Sequence, residues 1–326
     1  MVERRSPKPH IRVRFLAPVP FIKDMMHKEF FGYEHPIICS SMNGVSDVNL
    51  AIACAKSGIV PSLTMAPLEW YLEKLPSYLQ KFRDELGHCN LILGITIPKE
   101  YEILENYVLN LVKKYEITHC EFIFLINPDK HDFFVKKLHD LNCRVLRKQV
   151  SFSKKQNNFD ALITCGSESA GYSMNHSTKK LFVIQRITTP DVPIVVSGGI
   201  STRSQINEYL KLGALAVSIG TMFAMSEESP IALSTKKVMI EKTSSDLSRM
   251  KISGMQGIIC KDVEKNDDSI RPIDYRLKKG ITGELNDGVI FAGTGIDQIN
   301  EILPVQEIVR RLVLPKKVYN EEHEYR

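Results

Sequence analysis

The chain contains no CxxC and no cysteine or histidine pair at metal-ligand spacing; its seven cysteines stand at 39, 54, 89, 120, 143, 165 and 260. That argues against a zinc module and a dithiol redox motif. Several of these cysteines lie inside apolar runs such as HCEFIFLI and DALITCG, where a reduced thiol behaves as a small buried hydrophobe. No run of 18 apolar residues occurs and the start lacks a signal-peptide core, so a cytoplasmic protein with no membrane contact is expected. GxGxxG is absent, which removes the dinucleotide fingerprint. No internal repeat or low-complexity tract is evident. The one tryptophan, Trp70, is read as core or interface. Basic charge is not concentrated either: the net +5 is spread, and the dense run Arg4, Arg5, Lys8, Arg12, Arg14 reads as a solvated arm, not a nucleic-acid contact.

What is present suits one large core: 326 residues, 43% hydrophobic and 25% charged. Short apolar runs alternate with helical periodicity. Strands are expected over 36–40, 59–63, 90–96, 120–126, 143–146, 159–165, 193–197 and 216–219. Helices are expected over 47–57, 68–86 with a kink or break at Pro76, 100–115, 132–141, after Ser201 and Thr202, from Phe223 to Thr243, and from Pro304 to Val313. The linker 151–158 is polar and too short for a full helix. Eight β units in sequence order predict an α/β protein, a (β/α)8 TIM barrel with an insertion after strand eight; an open doubly wound sheet is the alternative. The expected division is an amino-terminal arm (1–33), the barrel (34–228), an inserted helical and irregular subdomain (229–287), and a return to the barrel with a final helix (288–326).

The stretch from Asp191 to Ser229 carries the strongest functional signal. It reads strand, glycine turn, helix, strand, glycine turn. Two parallel strands that each end in glycine expose backbone N–H groups unshielded by Cβ, and these can cradle a phosphate. A barrel builds its phosphate site at this place, after strands seven and eight. Gly198-Gly199 alone is also the signature of a plain tight turn; the second turn at Gly220-Thr221, one βα unit later, favours a site.

Four segments resemble nitronate monooxygenases (2-nitropropane dioxygenase-like flavoproteins) and the related FMN-dependent enoyl reductases: PIICSSMNGVSDVNLAIACAKSG, CGSESAGY, VPIVVSGGISTRSQINEYLKLGALAVSIGTMF and DGVIFAGTGIDQINEILPVQEIVRRL. The resemblance spans about Pro36 to Leu314. It implies an FMN-binding barrel in which Gly198, Gly199, Gly220 and Thr221 hold the phosphate and Ser41, Met42, Asn43 and Gly44 lie against the isoalloxazine ring. Thr96, Cys165, Gly171 and Ser197 complete the implied cofactor site. No metal is implied.

The catalytic positions depart from the family. Ser40-Ser41-Met42 stands where the family has alanine-proline-methionine, and Thr96 where strand three usually ends in asparagine. The loop that usually reads glutamine-glycine-x-glutamate-alanine-glycine-glycine-histidine runs from Cys165 to Tyr172 here, so Tyr172 replaces the catalytic histidine. With a pKa of about 10, a tyrosine is protonated at neutral pH and serves as a donor or acid. His176 reaches the vacated place if SMNH forms a helical turn; a solvent-facing loop histidine is the other reading. Glu168 matches the family glutamate and is read as fixing the loop, with an acid/base role second. Arg144 and Arg147 lie near where relatives place a lysine facing the flavin; alternation lets only one point inward, and Arg147 is the better placed.

The expected function is therefore an FMN-dependent oxidoreductase that oxidises a small organic substrate, a nitronate among the candidates, with oxygen. The alternatives are an NAD(P)H-dependent enoyl reductase-like or specialised biosynthetic flavoenzyme, and a flavin-binding protein without catalysis. A flavin-free isomerase or aldolase finds no lysine at a clear strand terminus. Partners are limited to small molecules, with the oligomeric state, homodimer included, left open.

Overall fold

A computed structural model describes residues 23–65, 68–97, 102–124, 132–149, 158–171, 173–252, 255–260, 273–286 and 288–315. Eight strands, β1 (Ile37–Cys39), β2 (Ser62–Thr64), β3 (Ile92–Ile97), β4 (His119–Phe124), β5 (Arg144–Gln149), β6 (Ala161–Cys165), β7 (Ile194–Ser197) and β8 (Ala216–Ile219), run parallel in the order β1-β8-β7-β6-β5-β4-β3-β2. Both sides of β1 are paired. Ile37 registers with Val217 of β8, while Ile38 bridges Val60 ahead of β2, with Cys39 N donating to Val60 O at 2.9 Å. The ring is thus closed into a (β/α)8 barrel, and the open-sheet alternative falls.

Alternate residues of each strand enter two different cores. Cys39, Val196, Val217 and Ile219 face the helices, whereas Ile38, Ile92, Leu146, Ile163, Val195 and Ala216 fill the barrel interior. Burial on both faces is why these strands read as nearly continuous apolar runs. The outer ring holds α2 (Val48–Lys56), α3 (Leu68–Leu86), α4 (Glu102–Tyr115), α5 (Asp132–Asp140), α6 (Thr178–Thr188) and α7 (Arg203–Lys211). The break expected at Pro76 is absent; α3 runs through it. Leu75, Leu79 and Phe82 are fully buried beside that proline. Three such side chains contribute roughly 5–9 kcal/mol against a cost of about 3 kcal/mol for an internal proline.

Two further expectations change. Residues 23–31, placed in the irregular arm, form α1 (Lys23–Phe31). Its Phe31, with the following Tyr33, joins Ile38, Ile92 and Leu146 and stops the amino-terminal end of the barrel. The helix expected from 223 to 243 is two pieces, α8 (Thr221–Ala224) and α9 (Leu233–Met239). Between them Pro230 removes a donor, and Ser226 and Ser229 hydroxyls take backbone carbonyls instead.

The insertion continues as an antiparallel hairpin, β9 (Leu247–Ile252) and β10 (Met255–Cys260), which the sequence reading did not anticipate, and as α10 (Ile273–Thr282). The final helix, α11 (Val305–Val313), packs against α2 and α7 and so occupies the eighth helical position of the ring. The polar linker after β5 lies mostly outside the described residues. No helix among the described residues is long and apolar enough to cross a membrane.

Candidate functional site

At the carboxyl ends of the strands, loops after β1, β6, β7 and β8 surround one cleft, and Ile273, Asp274 and Leu277 of α10 cover part of it. The loop after β1 is held from beneath. Ser46, fully buried, donates to Ser40 O at 2.9 Å and accepts from Met42 N at 2.9 Å, and Asp47 caps α2 by accepting from Leu50 N. Ser41, Met42 and Asn43 line the cleft; Gly44, at φ +72°, makes the turn behind them.

The two glycine turns meet on the opposite wall. Gly198 and Gly199 have φ of +128° and +66°, values that favour glycine. A Cβ on Gly198 would lie 2.4 Å from Thr178 Oγ1 and 2.6 Å from Ser169 Oγ, and one on Gly199 would lie 2.6 Å from Thr294 Oγ1. Three hydroxyls therefore crowd a stretch of bare backbone. Ser169 Oγ is buried, faces the weakly polar Cys165 thiol, and makes no hydrogen bond of acceptable geometry. A buried hydroxyl without a partner at a bare-backbone cradle is what an oxygen-rich ligand would satisfy. The capping box of Thr202 and Gln205 starts α7, and Gln205 Nε2 also reaches Gly199 O at 3.2 Å, which fixes the turn to the helix. The returning chain closes the cradle, as Gly293 N donates to Thr221 Oγ1 and Thr294 N to Glu168 O, each at 3.0 Å.

Glu168 lines the cleft, but its Oε2 accepts from Ser167 Oγ, Thr178 N and Thr178 Oγ1 at 3.1, 2.8 and 2.9 Å. The carboxylate binds its loop to the first turn of α6. Cys165, Gly171, Ser197, Gly220 and Thr221 also line the cleft. Burial pushes the Cys165 thiol up in pKa, against the opposing pull of the Lys148 charge, so the group is a neutral thiol. Thr96 sits on β3 beside Ile123 of β4. Tyr172, which follows the cleft-lining Gly171 in sequence, lies outside the described residues. His176 is half-buried, is not among the residues lining the cleft, and accepts Ser167 N on its carbonyl.

Arg147 is not where the sequence reading put it. It is 7% exposed, is absent from the cleft lining, and its guanidinium lies 5.6 Å from the Phe159 ring centroid. The inward parity of β5 belongs to Leu146, which lies in the interior core, and therefore to Lys148; the strand continues to Gln149, three residues past its expected end. Arg144 shares that parity but sits at the opposite end, donating to the carbonyls of Glu29 and Phe30. The cleft-facing cation is therefore Lys148, a lysine one residue from the carboxyl end of β5, where none was expected. Lys148 Nζ is 3.5 Å from Glu121 Oε1. Burial, the largest single influence, pulls its pKa down; the neighbouring Glu121 carboxylate, with Cys165, pushes it up, and the net shift is upward. A Schiff-base lysine needs a neutral amine; this one is held as a cation. Sequence reasoning also missed Ser40, Ser218 and Ser169, of which the first two share a hydrogen bond of 2.6 Å across β1 and β8.

A closed eight-stranded barrel with its cleft at the carboxyl-terminal face, a bare-backbone cradle after strands seven and eight, and a half-buried lysine on its floor defines a cofactor-dependent barrel enzyme. The chain belongs to the nitronate monooxygenase family, whose family model matches residues 72–315, and it is an oxidoreductase of this flavoprotein kind. A probable nitronate monooxygenase of Bacillus subtilis (strain 168) is 24% identical over 86% of this chain and 96% of that protein. FabK from Thermotoga maritima shares the fold with a TM-score of 0.75 at 18% identity, covering 92% of this chain and 98% of that one. Nitroalkane oxidase from Streptomyces ansochromogenes does so with 0.72 at 16% identity, covering 92% and 100%.

Proposed function

We propose that the cleft binds FMN and that the chain oxidises a small organic substrate, a nitronate in the leading case, with oxygen as acceptor. The observation that carries the reading is the cradle at Gly198 and Gly199, with three hydroxyls around it and the Ser169 oxygen unpartnered. Gly220 and Thr221 supply its second side. A compact cradle for a single phosphate, in a chain without GxGxxG, suits FMN in preference to FAD.

When bound, FMN supplies two-electron redox chemistry. The residues of this chain provide position and charge. Backbone from Ser41 to Gly44 offers the wall for a flat ring, and Thr96, Cys165 and Ser197 stand at the strand ends beneath it. Lys148 presents a fixed positive charge at the floor, where it favours anionic character in whatever lies above. Tyr172 takes the family histidine's place as a hydrogen-bond donor, protonated at neutral pH. Glu168 holds the loop that carries it, with His176 the second candidate for proton transfer.

The visible spectrum of the purified protein, followed by anaerobic bleaching, tests this reading. An alkyl nitronate that bleaches the flavin supports the oxidase; bleaching by NADH or NADPH alone moves the assignment to an enoyl reductase-like enzyme. A protein that retains no flavin after incubation with FMN overturns the cofactor assignment. Tyr172→Phe is expected to lower turnover by roughly 10²–10⁴-fold at unchanged flavin content. An unaffected rate passes the role to His176.

A further inference from the structure

Directly beneath the cleft, inside the barrel, lies a polar cluster that the function above uses only in part. Glu121 of β4 is 2% exposed. Its Oε2 accepts from Ser41 Oγ at 2.8 Å, while its Oε1 makes no hydrogen bond and lies 3.5 Å from Lys148 Nζ. The arrangement is built from four strands and the loop after β1. Ser41 reaches inward because β3 places Gly94 opposite, where a Cβ would meet the Ser41 Cβ at 2.5 Å and its Oγ at 2.6 Å. Any larger residue at 94 would push the hydroxyl off the carboxylate. Lys148 from β5 comes in beside Glu121, with the Cys165 thiol of β6 as its other titratable neighbour.

A carboxylate this deep is costly unless paired and hydrogen-bonded. Ser41 supplies the hydrogen bond and Lys148 the opposite charge. We propose that Glu121 is a positioning residue: with Ser41 it fixes the Lys148 ammonium at the floor of the cleft, so that a charged donor always faces the bound ligand. Lys148 then acts on the ligand, and Glu121 acts through Lys148. The Ser41 bond has a second effect, because it ties the loop that walls the cleft to the same carboxylate. The geometry stands without the FMN assignment; only the identity of what Lys148 faces rests on that reading.

The pH dependence of amine acylation at Lys148, read by mass spectrometry on the full-length folded protein without added flavin, tests the proposal. Exposed lysines of the same sample serve as references. In the wild-type chain Lys148 reaches half-maximal labelling at higher pH than the references. In Glu121→Gln burial is no longer opposed by the carboxylate, and labelling at a fixed alkaline pH rises by about tenfold or more, which corresponds to about one pH unit. Ser41→Ala gives a smaller rise, and Glu121→Asp restores much of the wild-type profile. A folded Glu121→Gln whose Lys148 labels as the wild type does would overturn the proposal. Should that variant not fold, a wild-type Lys148 that labels at lower pH than the exposed lysines overturns it equally. Failure to retain FMN, by contrast, would leave these labelling results untouched.

Discussion

At the scale of single residues, Gly220 separates a site from a scaffold. Its φ is −106°, ordinary for any residue, and a Cβ placed on it would meet nothing nearer than Met42 Sδ at 3.5 Å and Ser40 at 3.6 Å. Alanine therefore fits, and the further atoms of a leucine enter the cleft that Met42 and Ser40 line. Gly220→Leu is expected to fold, with a melting temperature within a few degrees of the wild type, yet to lose bound flavin. A variant that stays as yellow as the wild type would remove the phosphate site from this turn. The same scale shows what the sequence concealed. HCEFIFLI reads as an apolar strand, and Glu121 passes unnoticed within it, although a carboxylate in a strand buried on both faces demands a partner. Lys148 is lost for a different reason: the inward place goes to Arg147 for its position near the carboxyl end of the strand, whereas Leu146 faces the interior and so does Lys148 two residues on. An error of parity becomes an error of site, because inward and outward alternate at every residue.

At the scale of elements, the strands and most ring helices are legible because each carries its own periodicity, whereas α1 is not. KDMMHKEFF has a weak helical pattern, and the helix exists because the barrel's open end needs Phe31 and Tyr33. The hairpin β9–β10 carries a turn dipeptide, Ser253-Gly254, between its strands, and it escapes because the flanking runs are mixed in polarity and depend on each other. Docking α1 buries His119 of β4, 3% exposed, with Nε2 donating to Phe30 O at 2.9 Å. Burial lowers its pKa from 6.5 to about 4, so the folded protein keeps this histidine neutral. Above about pH 6.5 both states are neutral there and nothing is lost. As the pH falls from 6.5 toward 4, the unfolded chain takes up a proton that the folded one refuses, and stability declines. The loss amounts to about 2 kcal/mol by pH 5. His119→Phe is expected to be less stable than the wild type at pH 7 in urea unfolding, with the gap narrowing by about that amount at pH 5. A gap that is the same at both values shows that His119 is not the acid-sensitive group.

For the whole molecule, the question is which parts beyond β8 belong to the barrel. The division at 229 and 288 rests on a shift to polar composition, and the structure supplies an energetic argument for placing the return segment with the body. Val289, Ile290, Ile296, Val305, Ile308, Val309 and Leu312 are all buried, in the same core as Ile37, Val217 and Ile219. At about 1.5–3 kcal/mol each, they contribute roughly 10–20 kcal/mol, which matches or exceeds a typical net stability of about 5–15 kcal/mol. The segment also supplies Gly293 and Thr294 to the cradle at Gly199 and Thr221. A chain ending at residue 287 is therefore expected to be unfolded, without a cooperative melting transition and without flavin. The hairpin is different, since β9 and β10 pair with each other and not with the barrel sheet. Replacing residues 248–270 with a short glycine-serine linker should leave a cooperatively melting, flavin-retaining barrel, because α10 and the return segment keep their contacts. Measured together, the two deletions distinguish a true insertion from an integral part. If the linker variant unfolds as completely as the truncation, the hairpin region belongs to the folding unit and the proposed boundary at 229 and 287 is wrong.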